Sequence, residues 1–284
     1  IFEKILFSLT KKKFSYLIHE YLDQNVTHEI IFSGKKILFC GASYKAHVRA
    51  STLLTKEKDT INWIDKFNSD KIFWDIGANV GIYSLYGSKI HKNLKVVSFE
   101  PSFNNLQLLS RNIFLNNMNQ RIKICQLPII NKQIGFEKFN EFFLEQGSSG
   151  FHYYDGHVDM PKYKKIPTIQ NQSLIIATNL DFYYENKILD IPNYIKIDVD
   201  GIEYDIIKSG EKIFSNDKVE SCLIEINLSS YETANKIYEI MKSYGFVHTN
   251  DHGYTIFNNY KSIKNNSEYL IQDHSYNEIF IKKK

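Results

Sequence analysis

The segment WDIGANVGIYS, residues 74–84, decides the fold, because a short turn with two glycines joins an apolar strand to a helix there. The apolar run 71–76 predicts a buried strand, and residues 80–90 have helical spacing. Gly77 allows a tight turn, and Gly81 allows the helix to pack closely on the strand. A glycine-containing turn between a strand and a helix is the context that a nucleotide-binding loop requires.

The charge at this turn indicates which nucleotide would bind. The spacing Gly77-x-Asn79-x-Gly81 departs from the dinucleotide fingerprint, and the sequence contains no P-loop. Asp75, just before the turn, would repel a pyrophosphate and attract a cation. Glu100, about 25 positions further on, stands where an acidic residue accepts hydrogen bonds from ribose hydroxyls. The pattern therefore favours S-adenosylmethionine, a cationic nucleoside, over an ordinary turn capped by an aspartate.

From residue 71 onward, strands and helices alternate, which predicts a mostly parallel sheet covered by helices on both faces. The further predicted strands are 95–100, 121–126, 194–199 and 221–227, and the further predicted helices are 102–117, 202–214 and 231–244. Segments 245–250 and 278–283 are predicted to form a closing antiparallel pair. Ligands of such sheets bind at the carboxyl ends of the strands.

The chain is predicted to contain an N-terminal accessory region, residues 1–68, and a core, residues 69–284. The accessory region is expected to hold helices at 2–24, two short strands at 29–40 and a helix at 49–67. The core is interrupted by a long insert, residues 128–193, that is rich in Tyr and His. A connection of this length in a compact domain is usually functional or disordered.

The segment YIKIDVDGIEYDIIKSG, residues 194–210, places Asp198 and Asp200 at the end of the fourth strand of the core. Three interpretations compete: the D-x-D metal motif of a nucleotide-sugar glycosyltransferase, a calcium loop, and a carboxylate cluster at the sheet edge. The calcium loop is excluded because Gly201 follows Asp200 directly, with no third ligand before it.

Three segments together resemble the FkbM-type methyltransferases: DIGANVGIYS (75–84), VVSFEP (96–101) and IKIDVDGIEYDIIKSG (195–210). The resemblance covers roughly residues 49–284. It implies an α/β fold of the Rossmann-like class I methyltransferases, with a seven-stranded, mostly parallel, doubly wound sheet and a reversed last strand. It also implies methyl transfer from S-adenosylmethionine to a hydroxyl oxygen, usually on a sugar or a glycosylated natural product.

The resemblance also implies roles for particular residues. By position, the cofactor would be bound by Asp75, Gly77, Asn79, Gly81, Glu100 and Asp198. The family commonly has Glu where this chain has Asp200, so a shorter side chain carries the charge at that position.

Asp198, Asp200 and Glu203 are the predicted catalytic residues. Methyl transfer needs the acceptor oxygen, the methyl group and the sulfur in line, and an alcohol must also lose its proton. Asp198 is expected to act as base or to orient the acceptor, although an aspartate with a pKa near 3.9 is a weak base. Neighbouring carboxylates can raise that pKa, or a divalent cation can acidify the bound hydroxyl. Both possibilities stay open, as does a purely structural role for Glu203 at a helix start.

Other side chains are weaker candidates. Lys196 lies in a buried strand and needs a carboxylate partner. Arg49 and Glu57 are expected to form an ion pair, with closure of the site as the alternative. The remaining candidates are Glu225, three histidines that can act as bases and three aromatic residues that can stack on a sugar: His152, His157, His248, Phe151, Tyr153 and Tyr154.

Composition narrows the function classes. A net charge of +3 gives no reason to expect nucleic acid as a partner, and no apolar run reaches the roughly 18 residues of a membrane span. Three cysteines without paired spacing suit a reducing, cytoplasmic compartment. Together with the resemblance, which implies methyl transfer to a hydroxyl of a sugar, glycan or glycosylated natural product, these features predict an S-adenosylmethionine-dependent O-methyltransferase. The alternatives are a Mn²⁺-dependent glycosyltransferase, which leaves Asp75 and Glu100 unexplained, and an inactive binding module.

Overall fold

Helices and strands alternate along most of the chain in the structure, a computed structural model that describes residues 2–41, 43–149, 151–153, 168–199, 201–227, 230–249 and 275–283. The strands are β1 (Thr27–Phe32), β2 (Lys35–Cys40), β3 (Ile72–Ile76), β4 (Lys95–Phe99), β5 (Ile122–Cys125), β6 (Gly135–Glu141), β7 (Phe151–Tyr153), β8 (Asn171–Ala177), β9 (Tyr194–Ile197), β10 (Ser221–Asn227), β11 (Phe246–His248) and β12 (Ser275–Lys282). The helices are α1 (Phe2–Thr10), α2 (Phe14–Asn25), α3 (Tyr44–Ser51), α4 (Lys58–Asp65), α5 (Ile82–Ile90), α6 (Phe103–Leu115), α7 (Leu180–Glu185), α8 (Glu203–Lys208), α9 (Glu211–Phe214) and α10 (Tyr231–Ser243).

A seven-stranded sheet forms the centre of the protein, with strand order β11-β12-β10-β9-β3-β4-β5. Neighbouring strands are parallel except at β12, which runs antiparallel to both β10 and β11. This confirms the predicted mostly parallel sheet with a reversed last strand. The strand order reverses between β3 and β9, and ligands bind at such a switch point.

Helices cover both faces of this sheet, because its strands are apolar on both sides. Phe73 points into one layer, where it packs with Leu85 of α5 and Leu108 of α6. Trp74, the next residue, points into the other layer, which includes Ile206 of α8. Successive side chains of a strand face opposite sides, so one continuous apolar run fills both layers. Burial of each large side chain contributes about 1.5–3 kcal/mol.

The N-terminal layer shares the hydrophobic core of the sheet. Ile37, Phe39 and Trp63 are buried in the same cluster as Phe73. The segment 49–67, predicted to be helical, is divided in the structure, because α3 ends at Ser51 and α4 starts at Lys58. The hydroxyls of Ser51 and Thr52 both donate to the Val48 carbonyl, at 3.0 and 2.8 Å, which competes with helix continuation. The boundary at residue 68 stays a prediction.

The predicted helix at 202–214 is also divided in the structure, into α8 and α9. Ser209 closes α8 by donating to the Ile206 carbonyl at 2.7 Å. A Cβ on Gly210 would approach the Leu180 side chain to 3.0 Å, so the chain turns there against α7.

The insert at 128–193 contains a small sheet rather than an open loop. Its strand order is β7-β6-β8, with antiparallel pairs, and α7 follows before the chain returns to β9. Throughout the described ranges, every helix is too short or too polar to cross a membrane.

Candidate active site

The turn after β3 is held by close backbone contacts. Gly77 has a φ of +86°, and a Cβ on it would lie 2.0 Å from the carbonyl oxygen of Asp198. The amides of Gly77 and Ala78 both donate to the Phe99 carbonyl at 3.0 Å. The turn therefore lies directly against the ends of β4 and β9, and only glycine fits at its start.

Asn79 and Gly81 complete the turn. Asn79 has a φ of +52°, and its side-chain amide donates to the Ser148 carbonyl at 2.7 Å, which ties the turn to the insert. Gly81 has a φ of +86°, and a Cβ on it would lie 2.5 Å from the Leu109 side chain. The sequence predicts close packing of α5 on a strand here, whereas the close contact is with helix α6.

Glu100 is buried where β4 ends. Its carboxylate accepts hydrogen bonds from the Asn79 amide at 2.8 Å and from the Ser102 amide at 2.9 Å. Burial raises the pKa of Glu100 to about 7, although these hydrogen bonds act in the opposite direction. A carboxyl group of this kind changes charge near neutral pH and can accept hydrogen bonds from a ligand.

A cavity of about 190 Å³ opens where β3, β4 and β9 end. Four predicted site residues meet in its wall: Gly77, Asn79, Glu100 and Asp198. The rest of the wall is formed by Arg49, Lys56, Glu57, Ile76, Phe99, Pro101, Leu127, Pro128, Ile129, Phe139, Ser149, Val199, Ile202, Ile206 and Glu225. The cavity thus lies at the carboxyl ends of the strands, where the sequence predicts ligand binding, and at the switch point of the sheet.

Asp75 lies beneath this cavity rather than in its wall. Ser84 donates to one carboxylate oxygen of Asp75 at 2.6 Å, while the other oxygen, Oδ1, is buried without a hydrogen-bond partner in the described part of the chain. Burial raises the pKa of Asp75, and the Lys196 ammonium acts in the opposite direction. A direct contact of Asp75 with a cofactor stays a prediction.

Lys196 joins the two aspartates of the site. It is 1% exposed, and its Nζ lies 2.7 Å from Asp198 Oδ2, which confirms the predicted carboxylate partner. It also stands opposite Asp75 in the register of β3 with β9. Burial favours the protonated form of Asp198, but the charge of Lys196, helped by Arg49 and Lys56, outweighs it and lowers the pKa of Asp198. Asp198 is therefore ionised at neutral pH and is a weak base.

Glu203 holds the loop that follows β9. Its Oε1 accepts hydrogen bonds from the amides of Val199 at 3.2 Å and Gly201 at 3.0 Å. Burial raises the pKa of Glu203 to about 7. Glu203 is not among the residues that line the cavity, so its position favours a structural role at the start of α8 over the predicted catalytic one.

The other member of the predicted D-x-D pair, Asp200, lies outside the described residues. Within those residues, no three His, Cys, Asp or Glu side chains are grouped as metal ligands.

A family model described as the Methyltransferase FkbM domain matches residues 75–248. The chain belongs to this family. A relative, the methyltransferase sdnD of Sordaria araneosa, is 36% identical over 58 residues, or 20% of this chain and 22% of that protein.

Solved structures are also similar to this FkbM family member. Methyltransferase FkbM from Methylobacillus flagellatus KT has a TM-score of 0.42 and 16% identity, covering 76% of this chain and 44% of that one. M. capricolum TrmK, solved in complex with S-adenosylhomocysteine, has a TM-score of 0.41 and 14% identity, covering 78% of this chain and 67% of that one.

The N-terminal layer of this FkbM family member also contributes to the cavity, through Arg49, Lys56 and Glu57. The predicted Arg49–Glu57 ion pair is wrong, since the described ion pairs within 4.0 Å do not include it. Arg49 Nε donates instead to the Gly147 carbonyl at 2.5 Å, and Glu57 accepts from Thr60 at 3.1 Å. The two side chains line the cavity together, which leaves site closure as their alternative role.

Residues 145–149 of the insert run across the turn and α3. The Ser43 hydroxyl donates to the Gln146 carbonyl at 2.6 Å, and the Gly147 amide donates to the Asn105 side chain at 2.8 Å. Ser149, which belongs to the insert predicted to be functional or disordered, lines the cavity.

The other candidates from the sequence lie elsewhere or outside the described part. Glu225, on β10, does line the cavity. His248 is on the edge strand β11, where its ring packs against Tyr238 at 5.6 Å. The residues Tyr154 and His157, and the side chains of Phe151, His152 and Tyr153, lie outside the described residues.

Proposed function

We propose that this FkbM family member transfers a methyl group from S-adenosylmethionine to a hydroxyl oxygen of a sugar or a glycosylated product. The observation that carries the proposal is the charge of the cavity wall. Four acidic side chains line it, Glu57, Glu100, Asp198 and Glu225, against two basic ones, Arg49 and Lys56. The cofactor has a net positive charge from its sulfonium, ammonium and carboxylate groups, which complements such a wall.

The shape of the wall supports the same ligand. Glu100 would accept hydrogen bonds from the ribose hydroxyls, and the apolar Phe99, Leu127 and Ile129 would pack against the adenine. Gly77 lets the backbone approach the ligand, because no side chain fits at that position.

S-adenosylmethionine supplies an electrophilic methyl group when bound. The role of Asp198 follows from its charge: an ionised carboxylate in the cavity accepts a hydrogen bond from the acceptor hydroxyl and orients its oxygen. Lys196 fixes this carboxylate at 2.7 Å and keeps it ionised. A weak base is sufficient, because the proton of the acceptor hydroxyl becomes strongly acidic as its oxygen is methylated. Its proton then passes to Asp198 and on to solvent.

The acceptor end of the cavity suits hydroxyl groups. Glu225 lines the larger cavity but not the smaller one, and its carboxylate adds a hydrogen-bond acceptor to that of Asp198 in the same wall. Two acceptor groups in one wall can accept from neighbouring hydroxyls of a polyhydroxyl ligand. This supports a sugar as the acceptor class.

The same wall disfavours a nucleoside diphosphate, the donor of a glycosyltransferase. A diphosphate would face Glu57, Glu100 and Glu225, and the Asp198 carboxylate already contacts an ammonium. The family match gives no support to that alternative.

The test combines calorimetry with a transfer assay. S-adenosylhomocysteine is expected to bind the wild type without added metal, whereas UDP or GDP with Mn²⁺ is not. Asp198→Asn is expected to keep the affinity for S-adenosylhomocysteine and to lose most of the transfer of labelled methyl groups to a panel of glycans. Asp205→Asn is the matched control, because Asp205 is exposed on α8 and outside the cavity wall. The proposal would be contradicted if Asp198→Asn kept full turnover. It would also be contradicted if the wild type bound UDP with Mn²⁺ but did not bind S-adenosylhomocysteine.

A further inference from the structure

The wall contains a cation whose charge is not neutralised by an ion pair. Arg49 Nε donates to the Gly147 carbonyl, but a guanidinium has four further N–H donors on its two Nη atoms. Among the described residues, no carboxylate lies within the 4.0 Å of an ion pair with Arg49. The end of the guanidinium is therefore available to an anionic ligand, and its geometry matches a carboxylate through two parallel hydrogen bonds.

Arg49 lines two neighbouring cavities. A smaller cavity of about 40 Å³ shares Arg49, Lys56, Gly77 and Asp198 with the larger one and extends to Thr52 and Tyr83. Glu100 and the apolar side chains proposed to pack against the adenine line the larger cavity but not the smaller one. The two cavities thus adjoin along the turn at Gly77, with Glu100 on one side of the turn and the N-terminal layer on the other.

We infer that Arg49, with Lys56 beside it, binds the α-carboxylate of the cofactor's amino-acid end. The inference rests on the proposed function, which puts the ribose at Glu100. The amino-acid end lies on the other side of the sulfur from the ribose, and so extends past Gly77 toward the smaller cavity. That region contains the carboxylate of Glu57, which suits the ammonium group, but the charges of Glu57 and Asp198 would both repel a carboxylate.

The α-carboxylate of the cofactor can bind in this region only beside a positive charge that offsets the repulsion from these carboxylates. Lys196 also lines the smaller cavity, but its ammonium is buried against Asp198 at 2.7 Å. Lys56 is 64% exposed on its side chain and lies 3.9 Å from Glu57. Arg49, by contrast, is half-buried, keeps its Nη donors and is held in orientation by the Gly147 carbonyl, so it is the better placed of the two cations.

The test compares two ligands that differ only in the carboxylate: S-adenosylhomocysteine and its decarboxylated analogue, 5′-(3-aminopropylthio)-5′-deoxyadenosine. Calorimetry is carried out on the wild type, Arg49→Met, Arg49→Lys and the control Lys45→Met. Lys45 is on the same helix and contacts the same insert, through Ser148 at 3.0 Å, but lines neither cavity. The wild type and Lys45→Met are expected to prefer S-adenosylhomocysteine by ~10–100-fold, the size of a charged hydrogen-bonded pair.

Arg49→Met is expected to lose this preference by weakening S-adenosylhomocysteine alone, and Arg49→Lys is expected to keep part of it. Equal weakening of both ligands by Arg49→Met would show that Arg49 only holds the fold, and would overturn the inference. A wild type without preference would also overturn it. If circular dichroism shows that Arg49→Met does not fold, the result for Arg49→Lys is used instead. A lysine cannot form two parallel hydrogen bonds with a carboxylate, so an unchanged preference of Arg49→Lys for S-adenosylhomocysteine would overturn the inference. A wild type that binds neither ligand contradicts the proposed function instead.

Discussion

At the scale of single residues, two buried glutamates have a pKa that is raised for the same reason, but they differ in what they can contact. Burial raises the pKa of both Glu100 and Glu203 to about 7. Glu100 lines the cavity, whereas Glu203 accepts hydrogen bonds from the amides of Val199 and Gly201. A perturbed pKa marks a candidate site residue, and here the position of the carboxylate distinguishes a ligand-binding group from a loop clamp.

We expect both glutamates to make the protein less stable as the pH rises. A carboxyl group whose folded pKa lies above its unfolded value stabilises the fold most below the unfolded pKa, and this stabilisation is lost as the pH rises through the folded pKa. The free energy of unfolding should therefore fall between about pH 4.5 and 7, by roughly 3 kcal/mol for each group. Urea denaturation at a series of pH values measures this fall in the free energy of unfolding. Glu203→Gln and Glu100→Gln should each make the fall smaller, because each removes one titrating group.

Ligand binding separates the two variants. Glu100→Gln is expected to weaken S-adenosylhomocysteine binding, because a neutral amide accepts hydrogen bonds from ribose less strongly than a carboxylate. Glu203→Gln should leave both binding and methyl transfer intact. Loss of transfer by Glu203→Gln, with folding and binding preserved, would restore the catalytic role that the sequence predicts for Glu203.

At the scale of secondary structure elements, the turn between β3 and α5 fixes the distance between three strand ends. Its amides donate to the end of β4, and its first glycine lies against the end of β9. The sequence predicts this turn from its glycines, because positive φ and close backbone approach both favour glycine and so leave a local signature. The division of α3 from α4 has a weaker signature, since it depends on hydroxyls that donate to the Val48 carbonyl.

Gly77→Ala is expected to destabilise the protein and abolish binding of S-adenosylhomocysteine. The new Cβ would meet the Asp198 carbonyl at 2.0 Å, so backbone must move and the ends of β3 and β9 must separate. We expect a loss of about 2–5 kcal/mol in the free energy of unfolding, from strain and overpacking together. Urea denaturation and calorimetry measure the two effects.

Gly34→Ala is the matched control for this prediction. Gly34 has a φ of +70°, close to that of Gly77, but nothing lies within 4 Å of its added Cβ. This variant should lose only about 1–2 kcal/mol in the free energy of unfolding, from backbone strain at a positive φ, and should bind S-adenosylhomocysteine normally. Similar losses in the two variants would mean that the contact between Gly77 and the end of β9 is unimportant.

At the scale of the whole molecule, the cavity is built from parts that are far apart in sequence. The family match begins at residue 75, yet Arg49, Lys56 and Glu57 form part of the wall. Apolar runs and helical spacing are local patterns, so the sequence predicts the parallel sheet and the position of Glu100 at a strand end. The depth of Asp75 and the contact of Arg49 with Gly147 depend on packing between distant segments, which no local pattern encodes.

The N-terminal layer itself has two parts that differ in how they are attached. In α1 and α2, Ile5, Leu9 and Tyr21 are 56%, 78% and 65% exposed, so these helices bury little apolar surface on the core. In β2, by contrast, Phe39 is buried, and the backbone amide of Cys40 donates to the Asn112 side chain on α6 at 2.7 Å.

Two truncations should therefore behave differently. Removal of residues 1–25 is expected to leave the melting temperature and the binding of S-adenosylhomocysteine nearly unchanged, because few buried contacts are lost. Removal of residues 1–42 should prevent stable folding, because it opens the core at Ile37 and Phe39 and leaves the buried Asn112 side chain without the Cys40 amide. Thermal melts followed by circular dichroism distinguish these outcomes. A shorter truncation that melts as early as the longer one would show instead that α1 and α2 are integral to the core, and that the layer folds as one unit.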